Sequence, residues 1–394
     1  MQSFEAKLAQ ATAPNNREGI LGAIGLVVNG KGDVLYHHAS GRQSLDTDAS
    51  PLDPDSTIVL ASAGKFITHV AALQLVENGK IDLDEPVYKH LPELELLPLV
   101  TRGSAPGDQS LSLRRSPNDI TLRRLLLHTS GLSDPEVHLV AEYLASDTIE
   151  KPKVAEDADP IVKHFSIPLI FEPGEGFAYG HSIHWTQLLV KRLSGGGNFV
   201  KHIQDHIFAP LSMASSTYAP QANADIWNRR LRMVERDGDR LIPADEASQG
   251  LICSMLDFGA VLSDLVSLVP KLLQQEQHID LLFAGQFTPS SASMTDLRGS
   301  NENFKFCAGT PTAGSAAPLL NWSAAGLVVE DEELPLSRMP RGTVTWEGMP
   351  NVLWAMNREK GVGMFFATQL LPVGDRNANE LALEFMSSAW SKFG

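Results

Sequence analysis

The sequence predicts an α+β fold. An antiparallel sheet is built from both ends of the chain and flanked by helices, with a largely helical subdomain inserted between its two halves. Three observations predict it. Near the N-terminus, Ala23-Ile24-Gly25-Leu26-Val27-Val28 and Val34-Leu35-Tyr36 flank Asn29-Gly30-Lys31-Gly32, a hairpin signal. Near the C-terminus, residues 342–346, 352–356 and 363–368 alternate as adjacent antiparallel strands. From about 60 to 270 the apolar residues recur instead at mostly helical spacing, broken by Gly, Pro and Asp. One domain over 1–394 is therefore expected, with a sheet subdomain at 1–58 and 300–394 and a mainly helical subdomain at 59–299.

Each element follows in order. Residues 2–13 pattern as an amphipathic helix ahead of the hairpin. Leu60-Ala61 is apolar and β-like; Phe66, Val70, Leu73 and Val76 then mark a helix that Asn78-Gly79 stops. Ser62 thus falls at a helix start, on the seam between sheet and insertion. The polar, Pro-containing stretches 102–118 and 147–159 read as surface excursions. Thr121 opens a helix that runs into His128-Thr129-Ser130-Gly131, with His128 as its C-terminal cap. Residues 172–182 form a Pro-Gly turn leading to Tyr179, and 377–390 close the chain as a helix.

Composition narrows the function. A formal net charge of −15 disfavours nucleic acid and anionic membrane surfaces as partners. No apolar stretch is long enough to span a bilayer, and Met1 to Lys7 lack the basic flank and apolar run of a secretory leader. Cys253 and Cys307 alone make neither a disulfide framework nor a zinc site. The twelve histidines contain no H-E-x-x-H, so neither metal nor cofactor is expected. A cytoplasmic enzyme with two reduced thiols is the simplest account.

Ser62-Ala63-Gly64-Lys65 carries the chemistry. Residues i and i+3 share a helix face, so Lys65 projects toward the serine hydroxyl. Desolvation favours the neutral amine, which can then act as a base. The Ser62 N–H, at a helix start, is free to face an anion. Alone, the pattern also fits a capping serine before a surface lysine.

Three further segments turn it into an ordered set: Leu125 to Leu132 (L-L-L-H-T-S-G-L), Glu172 to Ser182 with Tyr179, and Trp346-Glu347-Gly348-Met349-Pro350-Asn351. With Ser62 and Lys65, the chain from roughly Gly22 onward resembles the serine β-lactamase and penicillin-binding-protein superfamily. It is most similar to the class C-like esterase branch, with its fungal transesterases of the lovastatin-side-chain type. The resemblance implies the β-lactamase fold and Ser62 as the acylated nucleophile. It makes Lys65 and Tyr179 the proton-handling pair, and forms an oxyanion hole from the Ser62 N–H and one near Gly348-Met349. It implies an acyltransferase, transesterase or esterase of secondary metabolism. The acyl donor is a small-molecule ester or thioester, free or carrier-bound, and the acceptor is an alcohol, an amine or water.

Departures from the antibiotic-binding pattern bear on specificity. Tyr179-Gly180-His181 stands where those members have Tyr-x-Asn, so the amide that binds a substrate carbonyl is missing, and His181 is left as pocket wall or second proton shuttle. Trp346-Glu347-Gly348 stands where they have Lys-Thr-Gly. An anionic substrate group left unpaired in a desolvated pocket costs several kcal/mol, so neutral or cationic donors are expected, with Trp346 as an apolar wall. Glu347, unusual even among the transesterases, faces either the pocket or solvent. Around Gly250 the relatives carry a denser glycine run lining the pocket.

Rival readings are a plain carboxylesterase or β-lactamase-like hydrolase and, more remotely, an acyl-binding protein without turnover. A further rival takes Ser182, in the near-elbow Gly180-His181-Ser182-Ile183-His184, as an α/β-hydrolase nucleophile. It lacks the final glycine of that motif.

Overall fold

A computed structural model describes residues 1–14, 16, 18–103, 110–244, 250–300, 307 and 317–394. Its main sheet has seven strands: β1 (Gly22–Asn29), β2 (Val34–Gly41), β3 (Leu320–Trp322), β4 (Leu327–Val329), β5 (Val344–Gly348), β6 (Val352–Asn357) and β7 (Val362–Ala367). They lie in the order β3-β4-β5-β6-β7-β1-β2, and every neighbouring pair is antiparallel. The two chain ends therefore meet at the β7–β1 pair, where Leu26 opposes Phe365. This is a mixed α+β architecture, as the sequence predicts. Strands β3, at one edge, and β4 beside it have no counterpart in the sequence reading; at three residues each they are too short to show a period.

The helices that matter here are α1 (Gln2–Ala11), α2 (Lys65–Glu77), α3 (Ser182–Leu193), α4 (Met255–Leu265) and α5 (Arg376–Phe393). The chain divides into two compact units. The first comprises Met1–Ile67, Ile203–Gly285 and Asn301–Gly394. In it, α1 and α5 cover one face of the sheet: Phe4 and Phe385 pack edge to face at 5.2 Å, and a Cβ on Gly25 would reach 2.7 Å from the Phe385 ring. On the other face α4 sets Gly259 against Leu26, and Phe258 lies 4.6 Å from Phe365. Close approach of helix to strand explains glycine at both sites, since any side chain would force the layers apart. Helix α5 starts where Asp375 accepts from the Asn377 and Ala378 N–H groups, an N-cap also paired with Arg236.

The second unit comprises Thr68–His202 and Gln286–Ser300 and is mainly helical. At the start of the stretch read as a polar excursion (102–118), Leu99–Arg102 pairs antiparallel with Leu111–Arg114, and the Val100 N–H also bonds the Leu169 carbonyl. Asp147 to Glu156 is mostly exposed, as expected.

Candidate active site

In the first unit, a short strand, Thr57–Val59, leads into the Ser62 turn and pairs with Ile252–Ser254. The Gln369 amide holds it from the side: Val59 N–H donates to Oε1 at 2.9 Å, and Nε2 donates to the Val59 carbonyl at 3.1 Å. The next N–H, on Leu60, bonds the Leu251 carbonyl at 3.0 Å. The chain then turns sharply, with Ala61 in the left-handed region at φ +48°, a conformation that costs a non-glycine residue about 1 kcal/mol or more.

Ala61–Gly64 is a 3-10 turn, and the α-helix begins only at Lys65. The expected single helix from Ser62 is thus two helix types in series. The i to i+3 relation survives, because a 3-10 helix has three residues per turn and brings such pairs to one side. The N-cap of that turn is Leu60, so Ser62 lies within the turn and is not its capping residue. Ser62 and Lys65 are half-buried while Ala63, Gly64 and Phe66 are buried.

The end of β5 packs on this turn. A Cβ on Gly348 would lie 2.2 Å from the Leu60 carbonyl oxygen and 3.3 Å from the Ala63 nitrogen, so only glycine allows the strand this close. From β6, Trp354 Nε1–H donates to the Ala63 carbonyl at 2.9 Å. Gly348 and Ser62 are thereby on neighbouring pieces of backbone, the arrangement from which two N–H groups can converge on one oxyanion. Met349, just past the strand, is exposed.

Trp346 is buried and lies edge-on to Trp322 at 4.7 Å; it opposes Trp354 in the β5–β6 register, so it shares a face with Gly348. Glu347 points to the other face. Its solvent-facing alternative does not hold: the residue is 9% exposed, and Cys307 Sγ–H donates to its Oε2 at 2.9 Å. Burial pushes its carboxyl up to about 7. Gly250 adopts φ +92° with open space where a Cβ would stand, next to Leu251. Ala247, Ser248 and Gln249, the rest of that segment, lie outside the described residues.

Tyr179 and His181 belong to the second unit. Thr121 caps the Leu122–Leu126 helix by accepting from Arg124 N–H, as its sequence position suggested. His128 ends it in the left-handed region, φ +57°. This cap does more than stop a helix. Its carbonyl accepts the Ala178 N–H at 3.0 Å, its Nδ1 accepts the Gly180 N–H at 3.4 Å, and its ring lies 4.7 Å from the Tyr179 ring. Thr129 and Gly131 carbonyls take the Gly174 and Ile170 N–H groups, so the whole His-Thr-Ser-Gly segment runs against the loop that presents the tyrosine. No local pattern could have shown this, because the partners are about fifty residues apart.

His181 Nε2 lies 3.3 Å from Asp134 Oδ1, and its ring packs 4.3 Å from Phe165. Gly180 makes room: a Cβ there would meet Asp134 Oδ1 at 2.9 Å. Ser182 is fully buried with its Oγ 2.8 Å from Ser130 Oγ, the opposite of an exposed nucleophile elbow. Among the described residues no group of three or more His, Cys, Asp or Glu is placed to hold a metal.

The beta-lactamase family model matches residues 4–386. The acyltransferase calJ of Penicillium decumbens is 33% identical over 378 residues, covering 92% of this chain and 87% of its own. The monacolin J acid methylbutanoyltransferase of Aspergillus terreus is 28% identical over 396 residues, covering 95% and 92%. Among solved structures, the LovD9 mutant of simvastatin synthase from Aspergillus terreus superposes with a TM-score of 0.86 at 26% identity. It spans 100% of this chain and 98% of that one.

Proposed function

The chain belongs to the beta-lactamase family and is an acyl-transferring enzyme of it, and on that premise we propose that Ser62 is the residue that carries the acyl group. Its Oγ attacks the carbonyl carbon of an ester or thioester and gives up its proton to Lys65 and Tyr179. The carbonyl oxygen, now negative, is met by the N–H groups of Ser62 and Met349, next to Gly348. Such donors are worth several kcal/mol each because they are already oriented when the charge appears. The tetrahedral adduct collapses, the C–O or C–S bond to the leaving group breaks, and the same pair returns the proton to the departing alcohol or thiol. An acceptor alcohol, amine or water then repeats the sequence in reverse and frees Ser62.

The observation that carries this reading is the fit of Gly348 against the turn bearing Ser62. For the donor we favour a neutral acyl group, free or carrier-bound. Trp346 stands where a cation would pair a substrate carboxylate, and its contact with Trp322 makes that wall apolar. Relatives named for acyl and methylbutanoyl transfer suggest an organic acceptor in secondary metabolism rather than water alone. No helix among the described residues is long and apolar enough to cross a membrane, and a cytoplasmic place belongs to the same proposal. The test is intact-mass spectrometry after brief exposure to a panel of acyl esters and thioesters. An acyl adduct mapped to Ser62, absent in Ser62→Ala, is expected; an adduct on another residue overturns the assignment.

A further inference from the structure

We propose that His128 is the positioning residue for Tyr179, holding the phenol in the pose that its proton transfers require. The proposal rests on the reading of Tyr179 as a proton carrier. Three contacts converge on the tyrosine from one residue. The N–H groups on either side of it, Ala178 and Gly180, both donate to His128, one to the carbonyl and one to Nδ1, and the imidazole packs against the phenol ring. The left-handed backbone of His128 makes this possible, because it turns the carbonyl and the ring toward the same loop. An Nδ1 that accepts a hydrogen bond carries its proton on Nε2 in the neutral ring. The imidazole is 1% exposed and is enclosed further by His69 and Phe177, with ring centroids at 6.2 and 6.4 Å.

Such a clamp bears on rate rather than on affinity. A displacement of about 1 Å of a reacting group costs about 100-fold, because proton transfer needs donor and acceptor in line. A helix cap that served only to end the helix would need the left-handed φ and nothing from the imidazole. Two substitutions separate the roles. His128→Gly keeps that φ at no steric cost but removes ring and acceptor. His128→Asn also tolerates it, and its Oδ1 falls near the place of Nδ1.

The experiment measures kcat and KM for a p-nitrophenyl ester in the full-length enzyme, for both variants alone and combined with Tyr179→Phe. His128→Gly should lower kcat by about 100-fold with KM little changed, and His128→Asn should recover part of the loss. In the Tyr179→Phe background His128→Gly should cost nothing further, since the hydroxyl it positions is gone. Unchanged kcat in His128→Gly alongside an inactive Tyr179→Phe would overturn the positioning role. So would equal losses in both backgrounds, which mark general damage to the fold. A fully active Tyr179→Phe is a separate outcome: it removes Tyr179 from the reaction, and the role of His128 with it.

Discussion

Gly348 sits against Leu60 so closely that a Cβ on it would come within 2.2 Å of the Leu60 carbonyl oxygen. That contact ties the last residue of a sheet strand to the turn two residues before Ser62. The two are almost three hundred residues apart in sequence. Gly348→Ala must move either the strand or the turn. A drop in kcat of about 100- to 1,000-fold is expected if an oxyanion donor is displaced. A loss of roughly 1–3 kcal/mol in stability, from overpacking against rigid backbone, should appear in denaturant melts of the same variant. Wild-type kcat in Gly348→Ala would separate this strand from the oxyanion site.

Ser62→Ala should abolish both ester turnover and the acyl adduct while leaving the melting temperature unchanged. Ser62 lies inside the turn, whose N-cap position is Leu60, so the substitution removes no capping side chain. Turnover that persists in Ser62→Ala and vanishes in Ser182→Ala would move the nucleophile to a hydroxyl that is now buried against Ser130.

Lys65→Ala and Tyr179→Phe should each lower kcat by about 100- to 10,000-fold, the usual worth of a positioned acid or base. The double variant should be little worse than either alone, because groups that pass one proton between them fail together. Single-turnover kinetics on all three proteins checks this; losses that multiply would mean two independent proton paths.

Glu347 gives the fold a pH dependence of defined sign. Its carboxyl titrates at about 7 in the folded chain against an ordinary value of 4.5. Below pH 4.5 both states keep the proton and nothing is lost. As pH rises from there to 7 the unfolded chain releases its proton first, so stability falls, by roughly 3 kcal/mol in all. Glu347→Gln cannot ionise and should lose this slope, which melting temperatures from pH 4 to 8.5 will show. Parallel profiles for the two proteins would mean that the carboxyl is solvated.

Substrate charge provides a last test. Wild type should turn over a neutral ester readily and nitrocefin negligibly, since Trp346 supplies no cation to pair a carboxylate. Strand alternation turns Glu347 away from the face that holds Trp346 and Gly348, so Glu347→Gln should leave the neutral-to-anionic ratio unchanged. Efficient nitrocefin hydrolysis would contradict the role given to Trp346.

The sequence by itself determined the local elements and the reactive spacing. Alternation marked β1, β5, β6 and β7, helical periodicity marked α2 and α5, and Ser62 and Lys65 stand three apart whichever helix type forms. These features depend on neighbours within a few residues, and their period is written in the chain. Only the tertiary structure decided which backbones touch. It brought β1 beside β7, returned 203–285 to the unit of the sheet, and set Gly348 on the Leu60 carbonyl. It also buried Glu347 with Cys307 and laid His128 on Tyr179. Each of those contacts joins residues tens to hundreds of positions apart, and burial is a property of what packs around a side chain. A lone glutamate in a strand and a histidine at a helix end therefore look the same in sequence whether they face water or pack against a buried neighbour.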